Sequence, residues 1–231
     1  MSDLFESGGL VQDAPRPLAD RLRPQTLGEV VGQDHLIGPD GPIGRMVAAG
    51  RAHSIILWGP PGTGKTTIAR LLSSAFKLHF EQLSAVFTGV ADLKKSFEAA
   101  RQRRRMGQGT LLFIDEIHRF NRSQQDSFLP VMEDGTVTLV GATTENPSFE
   151  LNGALLSRAQ VLVLRRLDDA ALEALLQRAE AHYGEKLPLT DDARASLRAM
   201  ADGDGRYLLN LAEELAGVKT LKPLDSAALV T

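Results

Sequence analysis

The stretch GPPGTGKT at residues 59–66 decides the fold. It satisfies the phosphate-loop pattern G-x-x-x-x-G-K-[ST], in which backbone N–H groups of a glycine-rich turn surround phosphate oxygens at the start of a helix. Four apolar residues, IILW at 55–58, precede the loop, and residues 66–76 carry apolar side chains at helical spacing. Because the order strand, glycine loop, helix is the context that the pattern requires, we predict a nucleoside triphosphate site here.

The loop also predicts the role of each side chain. Lys65 is expected to reach the β- and γ-phosphates of ATP, and the hydroxyl of Thr66 is expected to bind Mg²⁺. The alternative is a glycine-rich turn without a ligand, which the flanking strand and helix disfavour. The expected nucleotide contacts in this stretch are Gly59, Pro60, Pro61, Gly62, Thr63, Gly64, Lys65, Thr66 and Thr67.

A second apolar run, LLFI at 111–114, ends in two carboxylates, Asp115 and Glu116. Nucleotides bind at the carboxyl edge of parallel sheets, so both side chains are expected beside the phosphates. Asp115 is predicted to hold Mg²⁺ through water, and Glu116 to act as general base on the attacking water. The alternative is a pair of surface carboxylates at a strand end. A general base at this position favours transfer of the γ-phosphate to water, that is, ATP hydrolysis, over its transfer to another acceptor. We find no segment that would form an acceptor-binding lid for such a transfer.

Strands and helices alternate through the first two thirds of the chain. Further strands are expected at 79–83, 137–142 and 161–164, and helices at 90–105 and 124–133. This alternation predicts an α/β fold with a parallel sheet. After residue 166 only helices are expected, two of them capped by Asp168 and Thr190. We therefore predict a flexible arm at 1–17, an α/β nucleotide-binding core at 18–166, a helical lid at 167–221 and a tail at 222–231.

Composition narrows the classes of function. The 231 residues carry a formal net charge of −3 and no cysteine, and no apolar stretch is long enough for a membrane span. A disulfide framework, a thiolate nucleophile and an overall basic surface are excluded. A cytoplasmic location without a membrane partner is the expectation. DNA contact would need a local patch, and the densest candidate is the run of Arg101, Arg103, Arg104 and Arg105. The alternative is a solvated helix end, since no aromatic side chain is interleaved.

The ordered series GPPGTGKT, LLFIDEIHRF, VGATTENPSFELN, ALLSRAQVL and GDGRYLLNLAEEL resembles the AAA+ ATPases. Within them it resembles the clamp-loader-like branch and the replication-associated recombination protein A family (RarA, also MgsA), which is related to Werner-helicase-interacting proteins. The resemblance runs from about residue 17 to 221. It implies a DNA-stimulated ATPase in replication-fork maintenance and recombination, with ATP and Mg²⁺ as cofactors. The implied partners are forked or junction DNA, further copies of the chain, single-strand-binding protein and replisome components, on the nucleoid.

The resemblance also implies roles for further residues. Thr143, or its neighbour Thr144, corresponds to the sensor 1 hydroxyl near the γ-phosphate. Arg158 corresponds to an arginine finger that reaches the nucleotide of a neighbouring subunit, so self-association would use the face that carries it. Arg206 corresponds to sensor 2, which projects from the lid toward the phosphates.

Other positions resemble the family less closely. Arg21 and Val31 lie in segments that resemble the adenine-side pocket. Ser84 occupies the place where many AAA+ proteins carry a polar switch residue, often Asn, that restrains the catalytic glutamate. His118 follows in an Asp-Glu-x-His sequence and is interpreted as orienting the local loop.

The chain stops soon after the predicted lid, so it resembles a shortened family member without the C-terminal region that makes the oligomer. Two other functions stay open. A Holliday-junction branch-migration motor also carries DEIH and GATT motifs, but is expected to add a winged-helix domain. A nucleotide-dependent scaffold would bind ATP and turn it over little.

Overall fold

A computed structural model describes residues 16–218 and 222–229. Five strands form one sheet: β1 (Ile55–Trp58), β2 (His79–Ser84), β3 (Thr110–Asp115), β4 (Val137–Thr143) and β5 (Gln160–Val163). Their order is β2-β3-β4-β1-β5, and every neighbouring pair is parallel. The predicted parallel α/β sheet is thus confirmed. All five carboxyl ends lie at one edge of the sheet, where the phosphate loop and the carboxylates emerge.

Helices surround this sheet or follow it. They are α1 (Leu18–Arg21), α2 (Asp34–Ile37), α3 (Pro42–Ala48), α4 (Lys65–Ala75), α5 (Val90–Arg105), α6 (Arg122–Asp126), α7 (Phe128–Glu133), α8 (Pro147–Glu150), α9 (Gly153–Leu156), α10 (Asp169–Tyr183), α11 (Asp191–Ala201) and α12 (Gly205–Ala216). Two 3₁₀ turns, Leu27–Glu29 and Ile117–Arg119, connect them. No helix among the described residues is long and apolar enough to cross a membrane.

Apolar layers cover both faces of the sheet. On one face, α3 and α4 pack through residues such as Ile43, Ile68 and Leu72. On the other face, α5 and α7 pack through Phe97 and Phe128, whose rings meet edge to face at 5.5 Å between centroids. A strand that is buried on both faces has no polar side to present. This two-sided burial explains why β3 reads as an unbroken apolar run.

A third apolar cluster joins α10, α11 and α12, the helices expected to form the lid. Each begins at a side chain that caps its first turn: Asp168, Thr190 and Asp204 accept backbone N–H groups at 2.8–3.3 Å. Helix α1 packs on the same cluster, with Leu18 fully buried and its N–H donated to Glu213 at 2.8 Å. The start of the chain that the structure describes is thus attached to the lid helices, although the sequence placed it with the core.

The helix expected at 124–133 is instead two helices, α6 and α7, which meet at Ser127. Pro130 lies in the first turn of α7, where a residue without an N–H costs no helical hydrogen bond. Asp204 caps α12, which begins at Gly205. The predicted arm at 1–17 lies almost entirely outside the described residues, and so do 219–221 and 230–231.

Candidate nucleotide-binding site

A pocket opens at the carboxyl edge of the sheet, and three parts of the chain enclose it. They are the phosphate loop with the start of α4, the N-terminal segment between α1 and Val31, and the faces of α10 and α12. Residues 61–67 line it, as expected for the loop, whereas Gly59 and Pro60 stand behind it. Residues from distant parts of the sequence therefore meet around one cavity.

Lys65 is 9% exposed and lies against its own loop. Its Nζ donates to the carbonyl of Gly59 at 2.6 Å and to that of Pro60 at 2.7 Å. An ammonium has three protons, so one donor stays available for a phosphate oxygen. Burial lowers the pKa of Lys65, while the nearby carboxylates of Glu116 and Asp115 act in the opposite direction.

The turns of the loop need glycine at two positions. Gly62 and Gly64 have φ of +67° and +99°, in the left-handed region that other residues adopt only at a cost. Thr63 is almost fully buried, and its hydroxyl donates to the carbonyl of Pro60 at 2.8 Å. This side chain therefore stabilises the turn, and its contribution to phosphate binding would come from its backbone N–H.

The two predicted carboxylates line the same pocket. Asp115 is the last residue of β3, and Glu116 follows with φ 54° and ψ 45°. A left-handed conformation is uncommon for a residue with a side chain and costs about 1–2 kcal/mol. It turns the chain sharply at the strand end, so that both carboxylates face the cavity.

Thr66 and Asp115 are the residues that would hold Mg²⁺. Both line the pocket, and a hydroxyl with a carboxylate is the hard-oxygen set that Mg²⁺ prefers. Among the described residues no group of three or more His, Cys, Asp or Glu side chains could hold a metal alone. A cation here would thus take its remaining ligands from water and phosphate oxygens, as is usual for Mg²⁺ bound with a nucleotide.

The two sensor 1 candidates occupy different environments. Thr143 is fully buried, and its hydroxyl lies 2.9 Å from Nδ1 of His118. Thr144 lines the pocket. Thr144, the alternative that the sequence left open, is thus the one of the two that lies at the pocket, whereas the hydroxyl of Thr143 contacts His118.

The lid contributes two cations. Arg206 lines the pocket from the start of α12, and Arg178 lines it from α10. The N–H of Gly205 donates to the carbonyl of Gly62 at 3.3 Å, so the lid touches the phosphate loop directly. Arg178 is absent from the sequence prediction because it belongs to no motif. Helical spacing could have indicated it, because Leu175, three residues earlier and so on the same side of α10, lines the same pocket.

On the base side of the pocket one expected residue is replaced by another. Val31 lines the pocket as expected. The guanidinium of Arg21 instead contacts the lid: it pairs with Glu213 at 2.6 Å and approaches Tyr183 at 3.4 Å. Arg23 takes the place at the pocket, and donates to the hydroxyl of Thr67 at 3.3 Å. The structure therefore places Arg23, rather than the expected Arg21, at the pocket.

Arg158 lies outside the pocket of its own chain. Its Nε donates to Glu133 at 2.6 Å, and its Nη1 donates to the carbonyl of Ala154 at 2.9 Å. The side chain is 38% exposed, at the surface just before β5. Arg158 is therefore not among the residues that line the pocket of its own chain.

The basic run on α5 is largely neutralised. Arg103 pairs with Glu81 at 2.6 Å, where both side chains are about four-fifths buried. Longer ion pairs of 3.6 Å join Arg101 to Glu98 and Arg104 to Asp134. These contacts favour the structural alternative over a DNA-binding patch on this helix.

This chain is similar in sequence to known proteins. The family model "ATPase family associated with various cellular activities (AAA)" matches residues 55–167. Replication-associated recombination protein A of Escherichia coli is 46% identical over 221 residues, which cover 90% of this chain and 49% of that protein. The ATPase WRNIP1 of Dictyostelium discoideum is 43% identical over 199 residues, 84% of this chain and 23% of that protein.

Among solved structures, the Holliday junction branch migration motor RuvB of Thermotoga maritima is similar with a TM-score of 0.72 and 26% identity. The match covers 90% of this chain and 71% of that one. The chain spans about half the length of the bacterial recombination proteins that it matches.

Proposed function

This chain belongs to the AAA ATPase family, and from that premise we propose that it hydrolyses ATP at interfaces between subunits, stimulated by DNA, in the maintenance and recombination of replication forks. The observation that carries the proposal is the convergence of Lys65, Asp115, Glu116 and Arg206 on one pocket. Phosphate binding alone would need only the loop and the cations. The carboxylate of Glu116 adds a group that can accept a proton from water.

In the proposed reaction, backbone N–H groups of residues 61–66 and the ammonium of Lys65 bind the β- and γ-phosphates. Glu116 accepts a proton from the water that attacks the γ-phosphorus, and the bond to the β-phosphate oxygen breaks. Such a base contributes about 10²–10⁴-fold in rate. Mg²⁺, held by Thr66 and Asp115, would neutralise charge on the phosphates. Arg206 would stabilise the same charge from the lid.

We infer that the arginine finger comes from a second copy. The position of Arg158 outside its own pocket supports this inference, and trans fingers contribute about 10³–10⁵-fold in related chemistry. Forked or junction DNA is proposed as the stimulating partner because the relatives are named for replication-associated recombination. With DNA as its partner, the protein would act in the cytoplasm, on the nucleoid.

A second candidate is a motor that moves Holliday junctions, which the likeness to RuvB favours. The identity of 26% to that motor, against 46% to the recombination protein of E. coli, makes it the weaker candidate. Movement of a synthetic four-way junction, measured beside ATP turnover, separates the two: junction movement without stimulation by forks would favour the motor.

The test of the ATPase is turnover per protomer against protein concentration, with and without forked DNA. Glu116→Gln and Arg158→Ala are each expected to abolish most turnover. Arg101→Ala, which removes another exposed, ion-paired arginine, is the matched control in the DNA-free arm and is expected to have no effect.

Mixing the two inactive variants provides the sharper measurement. A subunit with Arg158→Ala keeps an intact Glu116, and its neighbour with Glu116→Gln supplies the arginine, so the mixed interface is complete. Turnover is expected to return on mixing. Turnover independent of both concentration and Arg158 would contradict the trans finger, and a wild-type chain without turnover at any concentration would contradict the ATPase itself.

A further inference from the structure

His118 lies between the proposed base and the end of a central strand. It belongs to the 3₁₀ turn Ile117–Arg119 and its ring is 7% exposed. One ring nitrogen, Nδ1, lies 3.3 Å from Oε2 of Glu116 and 2.9 Å from Oγ1 of Thr143. A single atom thus contacts both the base and the last residue of β4.

The contacts of that nitrogen favour one tautomer of the ring. Oγ1 of Thr143 accepts the N–H of Glu145 at 3.0 Å, and its hydroxyl donates to the carbonyl of Glu145 at 3.3 Å. The donor and acceptor in the contact between His118 and Thr143 depend on the tautomer of the ring. A carboxylate can only accept, so the position of Oε2 of Glu116 3.3 Å from Nδ1 favours the tautomer that carries its proton on Nδ1. In that tautomer the Nδ1 proton lies between two acceptors, Oγ1 of Thr143 and the carboxylate of Glu116.

The same strand end is joined to the phosphate loop. The carbonyl of Thr143 accepts the N–H of Gly59 at 3.1 Å. Through His118 and Thr143, the position of the Glu116 carboxylate is therefore set relative to the first residue of the loop. Glu116 also has the left-handed backbone conformation described above, which persists only where surrounding contacts hold it.

On the basis of the proposed ATPase function, we propose that His118 is a positioning residue for hydrolysis: its Nδ1 holds the Glu116 carboxylate against the end of β4, at a fixed place relative to the phosphate loop. This is the restraint that the sequence assigned to Ser84. Ser84 pairs with Asp115 through the backbone, and its carbonyl accepts the N–H groups of Phe87 and Thr88. Within residues 16–218 and 222–229, the structure gives its side chain no hydrogen bond to Glu116.

Three substitutions of His118 separate positioning from packing. In His118→Asn the amide can place a polar atom where Nδ1 lies, whereas in His118→Gln the polar atom moves toward the Nε2 position. His118→Leu removes the polar atom and keeps a buried side chain of similar size. We expect His118→Asn to keep kcat within about threefold of wild type, and the Leu and Gln variants to lower it about 10–100-fold, since a misplacement of about 1 Å can cost on the order of 10². The KM for ATP and the affinity for ADP are expected to stay within about twofold because binding uses the loop rather than the base.

Ser84→Ala is the matched control, and it is expected to leave kcat unchanged. Thr143→Val removes the other partner of Nδ1, so combining it with His118→Leu is expected to cost little more than the larger single effect. Thermal melting of each variant shows whether the fold is retained. Should His118→Leu be misfolded, the comparison of the Asn and Gln variants carries the test.

The outcomes separate this inference from the proposed function. If wild type hydrolyses ATP and His118→Leu does so at the same rate, the positioning role is overturned and the ATPase stands. Equal losses in the Asn, Gln and Leu variants, or a loss shared between kcat and ADP affinity, would also overturn it. If wild type shows no turnover at any concentration, the proposed function fails and the inference fails with it.

Discussion

Gly62→Ala is expected to push the lid away from the phosphate loop. An ideal Cβ on Gly62 would lie 1.8 Å from Oδ1 of Asp204 and 2.9 Å from its Cα, so the new methyl group and the start of α12 cannot occupy their present positions together. Gly62 also has φ of +67°, a conformation in which alanine costs about 1 kcal/mol. Asp204 caps α12 by accepting the N–H groups of Arg206 and Tyr207, both at 2.9 Å.

The expected loss of stability has two parts, the strained backbone at residue 62 and the displaced cap of α12. If Asp204 is displaced, the loss of the cap adds about 1 kcal/mol to the conformational cost. The free energy of unfolding should therefore fall by about 2 kcal/mol in Gly62→Ala. Because Arg206 and Arg178 line the pocket from the lid, the affinity for nucleotide should fall as well.

Gly50→Ala is the matched control for this substitution. Gly50 has φ of +64°, yet a Cβ there would meet nothing within 4 Å. Gly50→Ala therefore has only the conformational cost of the left-handed backbone, and its free energy of unfolding should fall by about 1 kcal/mol. Urea unfolding followed by the fluorescence of Trp58, the one tryptophan of the chain, measures both variants.

A double variant tests the contact between Gly62 and Asp204 directly. Asp204→Ala removes the cap by itself, and adding Gly62→Ala to it should cost less than the sum of the two single changes. Equal losses of stability in Gly62→Ala and Gly50→Ala, or full additivity in the double variant, would refute the contact between lid and loop.

Three further predictions concern the lid. Arg194→Met should lower stability at pH 7 by about 2 kcal/mol, between the values for exposed and buried ion pairs, because Arg194 pairs with Glu173 and Glu180 at 2.8 and 2.6 Å. The hydrogen bond from Arg194 lowers the pKa of Glu173 below its usual range. Burial raises the pKa of Glu180, but its hydrogen bonds from Arg194 and from the backbone N–H of Leu187 lower that pKa overall. The stability that these two ionised carboxylates contribute is thus present above their unfolded pKa and is lost as the pH falls through their folded pKa. The free energy of unfolding should therefore depend less on pH between pH 6 and 3 in Arg194→Met than in wild type. An unchanged slope of that free energy against pH would contradict this. Leu208→Ala, in a fully buried position, should lower the free energy of unfolding by about 2–5 kcal/mol in urea, and a loss below about 1 kcal/mol would show a loosely packed lid. Arg178→Ala should weaken nucleotide binding about tenfold in a fluorescence titration without changing stability, whereas unchanged affinity would place this guanidinium away from the bound nucleotide.

The elements that the sequence predicts well are those whose signal is local. The apolar run of β3 and the glycine loop each contain their own structural cause: burial on both faces in one, left-handed turns in the other. The caps Asp168 and Thr190 lie next to the helices that they start. Neighbouring residues specify these features, so a short window of sequence is enough.

What the sequence could not give depends on contacts between distant residues. Leu18 donates to Glu213 across 195 positions, and no pattern near Leu18 indicates that partner. The contact between His118 and Thr143 spans 25 positions and appears only when β3 and β4 lie side by side. Arg21 and Arg23 are two residues apart and equally basic, so only the packing of α1 on the lid decides which of them faces the pocket.

The proposed finger also fits the energetics of its present partner. Arg158 is held by Glu133, but the two side chains are 38% and 54% exposed. An ion pair at such exposure contributes about 0–1 kcal/mol, because water and salt compete for both charges. A phosphate on a second copy could accept two parallel charge-assisted hydrogen bonds from the guanidinium, which are stronger than that ion pair. Glu133 therefore orients Arg158 in the free chain without opposing its transfer to a neighbouring subunit's nucleotide, and assembly need not break a strong contact to complete the site.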